Sequence, residues 1–318
     1  MLARYNDFPC KTIGCKIHPK QACNARPYKH TVKTTTTHKR KDATMLYDFH
    51  THSTYSDDAE NTMAQMALAA AEAGLAGICF TDHADLDDID GSYNPQAWRP
   101  EEYFAAFEEA KAAAGDKMTL RLGLELGEAN HYPELARDIA AQVPDFIISS
   151  VHNLRGMADF YRGRPGGEDP AMYATPEACR VLLEKYITEL EETAAQDCFD
   201  VIGHIGYPLR YMRRLYPGLG LEPWRERLAE LFRGLVRAGR GIELNCSGLR
   251  QELGETMPTQ WIMALYRDMG DEIVTLGSDA HRVKDVGACL RDGKNLLQGL
   301  GFRRYCVYNK RKADFIRT

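Results

Sequence analysis

Short apolar runs alternate with longer amphipathic stretches from Met45 to the end of the chain. The runs are rich in β-branched and aromatic residues, which is typical of strands, and the stretches between them carry apolar residues at helical spacing. Strands are predicted at 45–49, 76–81, 120–125, 145–151, 200–205, 241–245 and 272–278, with a short last one at Tyr305–Tyr308. Helices are predicted at 62–74, 100–115, 131–142, 175–196, 222–239 and 258–270.

Strands that alternate with helices in this way predict parallel βαβ units. Residues 45–318 suit one closed (β/α) barrel domain better than two smaller domains. A doubly wound open sheet is the alternative, but no glycine-rich dinucleotide-binding fingerprint follows the first strand. The sequence therefore predicts an α/β barrel of seven strands.

Charge separates the start of the chain from the rest. Residues 1–44 hold ten Lys or Arg against two Asp or Glu, so with a net charge of −5 overall, residues 45–318 carry about −13. The leader lacks apolar periodicity, and we expect it to be disordered. A mis-called start or a tag is the first interpretation of this leader, ahead of a polyanion-binding tail and a targeting peptide. The acidic body argues against nucleic acid as a partner of the folded domain.

Composition indicates the class of protein and its cellular compartment. The chain has 318 residues, of which 44% are hydrophobic and 27% charged, as in globular proteins. No apolar run approaches the ~20 residues of a membrane span, so no membrane partner is expected. Nine cysteines, odd in number and without paired spacing, indicate reduced thiols and a cytoplasmic location. The oligomeric state is left open.

Histidines concentrate where the predicted strands end. Of ten histidines, His131 opens a predicted helix and three lie in the leader. The other six lie at the carboxyl ends of predicted strands: His50, His52, His83, His152, His204 and His281. In a (β/α) barrel the carboxyl ends of the strands form one rim, where active sites are built. His50 and His52 are two residues apart on a strand, so both point the same way.

Carboxylates join the histidines at this rim. Glu125 ends the third strand, Asp279 follows the seventh, and Asp57 or Asp58 lies in the turn after the first. Together they offer more ligands than one zinc ion takes. We therefore expect two or three divalent ions, with Zn, Fe or Mn favoured by imidazole and carboxylate ligands.

Metal centres with open positions supply hydroxide at neutral pH and stabilise oxyanions. This favours hydrolysis of phosphoesters or of amides. An amidohydrolase is the close competitor, because it also begins with His-x-His and ends with Asp. It usually bridges its metals through a modified Lys, whereas here no Lys stands at a strand end. The balance favours phosphoester cleavage.

Six motifs resemble those of the polymerase-and-histidinol-phosphatase (PHP) superfamily: "HTHSTYSDD", "FTDHAD", "GLELGE", "SSVH", "IGHIG" and "GSDAHR". The resemblance implies a distorted seven-stranded (β/α) barrel with three metal sites. The first metal would be held by His50, His52, Glu125 and Asp279. Glu125 would bridge to the second metal, which His152 and His204 complete.

The resemblance also implies a third metal held by His83, His281 and Asp58. Many relatives carry His where this chain has Asp58, which bears on the occupancy and metal preference of this site. Asp82 and Asp85 are candidates for orienting His83, with helix capping or a surface role as the competing interpretation. Glu128 is the alternative to Glu125 as the bridge.

Three further segments resemble the stand-alone histidinol-phosphate phosphatases of the superfamily: "ELNCSGLR", "SVHNLRGMADFYRG" and "GHIGYPLRY". The implied reaction is hydrolysis of L-histidinol phosphate to L-histidinol and phosphate by a hydroxide bridging two metals. Asp279 or His281 would move protons. The alternatives are another small phosphomonoester or a nucleotide as substrate, an amidohydrolase, and a non-catalytic PHP module, which the complete ligand set disfavours.

A phosphate dianion requires hydrogen-bond donors in a fork-like arrangement. Arg155, Arg210 and Arg250 are candidates, with Ser247 as a hydroxyl donor; a solvated surface charge is the competing interpretation for each arginine. The acidic stretch 85–90 is a candidate for attracting the cationic part of histidinol.

Overall fold

The computed structural model of the protein describes residues 45–270 and 273–318. The predicted disordered leader at 1–44 lies outside the described residues. Within the described part of the chain, no helix combines the length and the apolar character needed to cross a membrane.

Seven parallel strands form a nearly closed barrel, which confirms the predicted fold class. In chain order the strands of the barrel region are β1 (Tyr47–Thr51), β2 (Gly77–Phe80), β3 (His83–Asp85), β4 (Thr119–Gly127), β5 (Phe146–Ser150), β6 (Val201–Ile202), β7 (Gly241–Asn245) and β8 (Val274–Gly277). The sheet runs β1-β2-β4-β5-β6-β7-β8, and the short β3 pairs with β4 beside β2. His83 was expected at the end of β2. It begins β3 instead, where it pairs with Glu125.

The barrel closes between its first and last strands. The backbone N–H of Asp279 donates to the carbonyl of His50 at 2.8 Å, and that of His52 donates to the carbonyl of Ala280 at 2.9 Å. Below them, the buried Asp48 carboxylate accepts hydrogen bonds from the backbone N–H and the hydroxyl of Ser278. Closure therefore brings the end of β1 directly against the segment that follows β8.

Helices cover the outward faces of the strands, and their contact forms the larger apolar core. In the described residues the α-helices are α1 (Met63–Glu72), α2 (Pro100–Ala114), α3 (Pro133–Ala140), α4 (Pro176–Ala194), α5 (Leu209–Leu215), α6 (Arg225–Ala238), α7 (Ser247–Arg250), α8 (Gln260–Asp268) and α9 (Leu290–Gly299). Six match predicted helices; α5, α7 and α9 do not correspond to any prediction. Local sequence explains several boundaries: Thr62 and Gln65 form a capping box on α1.

A hairpin of β9 (Arg304–Asn309) and β10 (Lys312–Arg317) ends the chain. Only the first of these strands was predicted. Cys306 and Tyr308 of β9 join a second apolar cluster with Phe49 and with Phe146, the first residue of β5. The hairpin thus packs at the amino-terminal end of the barrel. The carboxyl ends of the strands lie at the opposite end.

Candidate metal centre

Glu125 lies at the centre of the predicted rim, buried at 1% exposure. Its two carboxylate oxygens face different imidazoles. Oε2 lies 3.1 Å from His50 Nε2 and 3.4 Å from His52 Nε2. Oε1 lies 2.6 Å from His204 Nε2 and 3.3 Å from His152 Nε2. A carboxylate in this position can hold one cation with each oxygen.

His50 and His52 face each other through their Nε2 atoms, which are 3.0 Å apart. Both rings are buried, and Asp279 Oδ1 lies 3.5 Å from His52 Nε2 and 3.9 Å from His50 Nε2. Burial and the neighbouring imidazoles of His281 and His83 lower the pKa of His52 to about 3. A neutral imidazole is the form that binds metal. His50, His52 and Glu125 together place ligand atoms close enough for one ion.

The second group is built from β5 and the residues after β6. The Nε2 atoms of His152 and His204 are 3.3 Å apart, and both rings are buried. The hydroxyl of Ser150 donates to Glu125 Oε1 at 2.6 Å and so holds the bridging carboxylate in place. The arrangement repeats the first group on the other side of Glu125.

The third group lies nearer the open end of the cavity. His281 Nε2 is 3.0 Å from Asp58 Oδ2, and His83 Nε2 is 3.8 Å from Asp58 Oδ1. The side chain of Asp58 is 63% exposed, against 22% for His83 and 25% for His281. The rings of His52 and His281 stack at 4.0 Å, which joins this group to the first. Asp58 is therefore the most solvated of the predicted ligands in this group.

The donor set fits divalent metal ions. At 3.0 Å or 3.3 Å at least one imidazole nitrogen of each pair presents its lone pair to the other, and lone pairs on both would converge on a cation. Buried carboxylates beside them supply the negative charge that a cation requires. The described residues include four groups of three ligands whose atoms lie within 4.8 Å of one another.

Glu243 was missed in the sequence, although it contacts two predicted ligands. Its Oε1 lies 2.7 Å from His50 Nδ1, and its Oε2 accepts the backbone N–H of His204 at 2.9 Å. Gly277 makes this approach possible, because a Cβ there would lie 2.3 Å from Glu243 Oε1 and 2.4 Å from His50 Cβ. The available signal was a charged residue inside the apolar run "GIELN".

Asp85 contacts the Nδ1 atoms of two imidazoles directly, and Asp82 reaches a third imidazole through a serine hydroxyl. His52 Nδ1 contacts the Ser56 hydroxyl at 3.1 Å, which donates to Asp82 at 2.8 Å. Asp85 lies 3.2 Å from His152 Nδ1 and 3.4 Å from His83 Nδ1. Asp85 thus contacts His83 as expected and His152 as well, whereas Asp82 acts on His52.

Glu128, the alternative bridge, occupies a different position. Its Oε1 accepts the backbone N–H groups of His152 and Asn153 at 2.9 Å and 3.1 Å. Burial, together with the nearby Asp85 carboxylate, raises the pKa of Glu128 to about 8. This side chain therefore holds the backbone of His152, while Glu125 has the place between the two histidine pairs.

An open cavity of about 740 Å³ lies over the histidines. Arg210 lines it and donates to the Ser247 hydroxyl at 2.7 Å and to Asp279 Oδ2 at 3.2 Å. Its Nε is buried and has no hydrogen-bond partner among the described residues. Arg250 also lines the cavity, and its guanidinium donates to the carbonyls of Ser278 and Asp279.

The expectation for Arg155 is corrected by its contacts. Its guanidinium donates to Glu192 at 3.2 Å and to the carbonyl of Asn130 at 3.1 Å, on the outer surface and away from the cavity lining. The nearby Glu192 carboxylate on α4 satisfies the charge of Arg155 there. Arg155 is therefore not part of the set that could contact phosphate.

The acidic stretch 85–90 reaches the cavity only in part. Asp85, Asp87 and Asp88 line it, and Asp90 does not. Asp87 is buried and paired with His131 Nδ1 at 2.6 Å, so it offers little free charge to a ligand.

Comparison with known proteins agrees with this geometry. The PHP domain family model matches residues 48–247. The chain is 26% identical to the histidinol-phosphatase of Lactococcus lactis, over 84% of this chain and 96% of that protein. It is 29% identical to the probable histidinol-phosphatase of Deinococcus radiodurans, over 82% of this chain and 95% of that protein.

The fold is shared with a solved structure. The crystal structure of the Lactococcus lactis histidinol phosphate phosphatase, complexed with zinc, L-histidinol and phosphate, superposes with a TM-score of 0.68 at 24% identity. The match covers 84% of this chain and 98% of that one.

Proposed function

The chain belongs to the PHP domain family, and from this premise we propose that it is a metal-dependent phosphomonoesterase that hydrolyses L-histidinol phosphate to L-histidinol and phosphate. The observation that carries the proposal is the position of Glu125, whose two oxygens each face a pair of histidine Nε2 atoms. Two-metal sites of this kind act on phosphate esters by stabilising both the attacking and the leaving oxygen.

Three ions are proposed, of zinc or alternatively of iron or manganese. The first would be held by His50, His52, Glu125 and Asp279. The second would be held by Glu125, His152 and His204. The third would be held by Asp58, His83 and His281. When bound, such ions lower the pKa of coordinated water towards neutrality and neutralise phosphoryl charge.

The remaining work falls to side chains of the chain itself. Arg210 lines the cavity, and its guanidinium is the proposed donor to a phosphoryl oxygen. Ser247, the expected second donor, is fully buried, and its hydroxyl is directed at Asn245 Oδ1 at 2.6 Å. Arg250 holds the backbone of Asp279, which has a positive φ of 55°. We assign proton movement to Asp279 and His281, because His281 Nδ1 lies 3.4 Å from Asp279 Oδ1 and both residues line the cavity.

The substrate is proposed from two kinds of support. The relatives named histidinol-phosphatase align with more than four-fifths of this chain, and a cavity of about 740 Å³ suits a small molecule. The six free cysteines of the described residues fit a reducing compartment, and a cytoplasmic location is part of the same proposal.

The test is phosphate release from L-histidinol phosphate against a panel of other phosphomonoesters, a nucleotide and an amide, with metal analysis of the same sample. The proposal expects kcat/KM for L-histidinol phosphate to exceed that of each other compound at least tenfold. A different preferred phosphomonoester would overturn the substrate assignment alone. Metal-loaded protein that releases phosphate from none of them would overturn the phosphatase assignment.

A further inference from the structure

Asp159 lines the cavity, and only one of its two carboxylate oxygens accepts hydrogen bonds from the protein. It follows β5 and caps the 3-10 helix Phe160–Gly163. Its Oδ1 accepts the backbone N–H of Tyr161 at 2.6 Å and the hydroxyl of Tyr207 at 3.2 Å. In the part of the chain that the structure describes, Oδ2 receives no hydrogen bond. Burial raises the pKa of Asp159, although the nearby His152 opposes this shift.

A single tyrosine connects Asp159 to the metal centre. The ring of Tyr207 packs against His152 and His204, with ring centroids 5.1 Å and 5.3 Å apart. Tyr211 donates its hydroxyl hydrogen to the Tyr207 hydroxyl at 3.0 Å, so the hydrogen of Tyr207 is free to point at Asp159. The carboxylate is therefore held one side chain away from the second group of ligands, on the lining of the same cavity.

Four other carboxylates of the cavity have cationic or hydrogen-bonding partners, whereas Asp57 and Asp88, which also line it, are exposed to solvent. Asp58 pairs with His281, Asp279 with Arg210, and Asp285 lies 3.6 Å from Arg250. Asp87 is paired with His131 and with the hydroxyl of Tyr132. Asp159 differs from these four because its neighbours donate only from neutral groups to one of its two oxygens.

We propose that Asp159 is a specificity residue that binds a cationic nitrogen of the leaving alcohol. The inference rests on the proposed function, because L-histidinol carries an ammonium group and an imidazole. A carboxylate and a cationic N–H form a strong charge-assisted hydrogen bond. Asp159 touches no reacting atom in this role, so it acts on substrate binding more than on the chemical step.

The test compares the wild type with Asp159→Asn, which keeps the shape and the Oδ1 acceptor and removes the charge. Asp138→Asn, an exposed residue on α3 outside the cavity, is the matched control for loss of one charge. Substrates are L-histidinol phosphate, its analogue without the amine, 2-aminopropyl phosphate, which lacks the imidazole, and propyl phosphate, which lacks both. We expect Asp159→Asn to raise KM for L-histidinol phosphate about tenfold or more, to change kcat less than threefold, and to leave propyl phosphate hydrolysis unchanged.

The analogues identify the bound nitrogen. If the ammonium is the partner, the analogue without the amine loses nothing in the variant; if the imidazole is the partner, 2-aminopropyl phosphate loses nothing. An equal loss on propyl phosphate, or an unchanged KM for L-histidinol phosphate, would overturn the inference. A wild type that does not prefer L-histidinol phosphate would instead count against the proposed function.

If turnover by Asp159→Asn is too slow for kinetics, a binding measurement tests the same inference. Calorimetry on the metal-loaded proteins with L-histidinol and, separately, with inorganic phosphate gives two affinities. The inference expects Asp159→Asn to weaken L-histidinol binding about tenfold and to leave phosphate binding unchanged. Parallel losses for both ligands would overturn it, as would retention of both.

Discussion

Glu243 Oε1 lies 2.7 Å from His50 Nδ1, in a part of the barrel where both side chains are fully buried. The carboxylate accepts the Nδ1 proton and thereby directs Nε2 of His50 towards Glu125. Carboxylate–histidine contacts of this kind raise the basicity of a metal-binding imidazole and fix its tautomer. The ligand geometry of the first group thus depends on a residue that is not itself a predicted ligand.

We expect Glu243→Gln to weaken metal retention at the first group by roughly 10- to 100-fold. The amide keeps the volume of the side chain but removes the charge that stabilises the His50 N–H. Chelator titration with metal analysis gives the affinity, and Glu226→Gln on the exposed face of α6 is the control. Equal metal affinity in both variants would show that Glu243 has no part in positioning His50.

Gly277→Ala tests the packing that brings Glu243 and His50 together. A Cβ at this position would lie 2.3 Å from Glu243 Oε1 and 2.4 Å from His50 Cβ. We expect a loss of about 1–3 kcal/mol in the free energy of unfolding, as for overpacked cores, together with lower metal affinity. Gly234→Ala in α6 is the control, since a Cβ there meets nothing within 4 Å. Denaturant unfolding gives the free energy of unfolding of both variants, and chelator titration gives their metal affinity. A Gly277→Ala protein as stable as wild type would contradict the packing argument.

Arg210 and Arg155 provide a matched pair for the phosphate-binding assignment. Arg210→Ala removes a cavity donor and the partner of Asp279 Oδ2, so we expect kcat/KM to fall about 10- to 100-fold, as for loss of a hydrogen bond to a charged group. Arg155→Ala removes a surface contact with Glu192 and should change kcat/KM less than threefold. Steady-state kinetics give kcat/KM for the two variants. Similar losses in both would contradict the assignment of Arg210, rather than Arg155, to phosphate binding.

His131, which is not a predicted metal ligand, makes the free energy of unfolding depend on pH. Its Nδ1 faces Asp87 and its Nε2 faces Glu189, at 2.6 Å and 2.9 Å. Burial would lower the pKa of His131, but the Glu189 and Asp87 carboxylates raise it above its usual value. The raised folded-state pKa stabilises the fold fully below the unfolded pKa of about 6.5, and this contribution is lost as the pH rises through the folded pKa.

The corresponding measurement is the difference in unfolding free energy between wild type and His131→Gln at a series of pH values. We expect the difference to be largest near pH 6 and to decrease towards alkaline pH. A difference that stayed constant from pH 6 to pH 9 would show that the imidazole is neutral in the folded protein.

The rim histidines were predictable because the geometry of parallel strands is regular. His50, His152 and His204 lie at or just after the carboxyl ends of parallel strands, and those ends must meet, so a list of strand ends sufficed to group them. Glu125 was predictable for the same reason. Glu243 was not, because it lies on β7 and contacts His50 of β1 across β8, and the closure of the barrel between β8 and β1 is a long-range property.

Arg155 shows that a residue close in sequence to a metal ligand need not lie in the same site. It lies three residues after His152, yet the loop between them turns its guanidinium outwards to Glu192 on α4. Helix α9 was not predicted because Gly293 interrupts its pattern. The structure gives this glycine a packing role, since a Cβ there would lie 2.5 Å from Cys246 Sγ.

Position 58 in the third group of ligands tests whether a carboxylate and an imidazole bind the metal equally well. We expect Asp58→Ala to lower the metal content by one ion per chain, whereas Asp58→His restores it, because His83 and His281 offer ligand atoms on either side. Metal analysis after gel filtration gives the ratio. An unchanged ratio in Asp58→Ala would exclude Asp58 as a ligand.

The central claim is that Glu125 would hold a metal ion with each of its oxygens, at a site that releases phosphate. The most direct measurement is the rate of phosphate release from L-histidinol phosphate by wild type and Glu125→Gln, with the metal content of both samples. The account predicts at least two ions per chain and turnover in the wild type, and loss of metal with a fall in kcat/KM of about a thousandfold or more in the variant. A Glu125→Gln protein that kept its ions and its rate would contradict it.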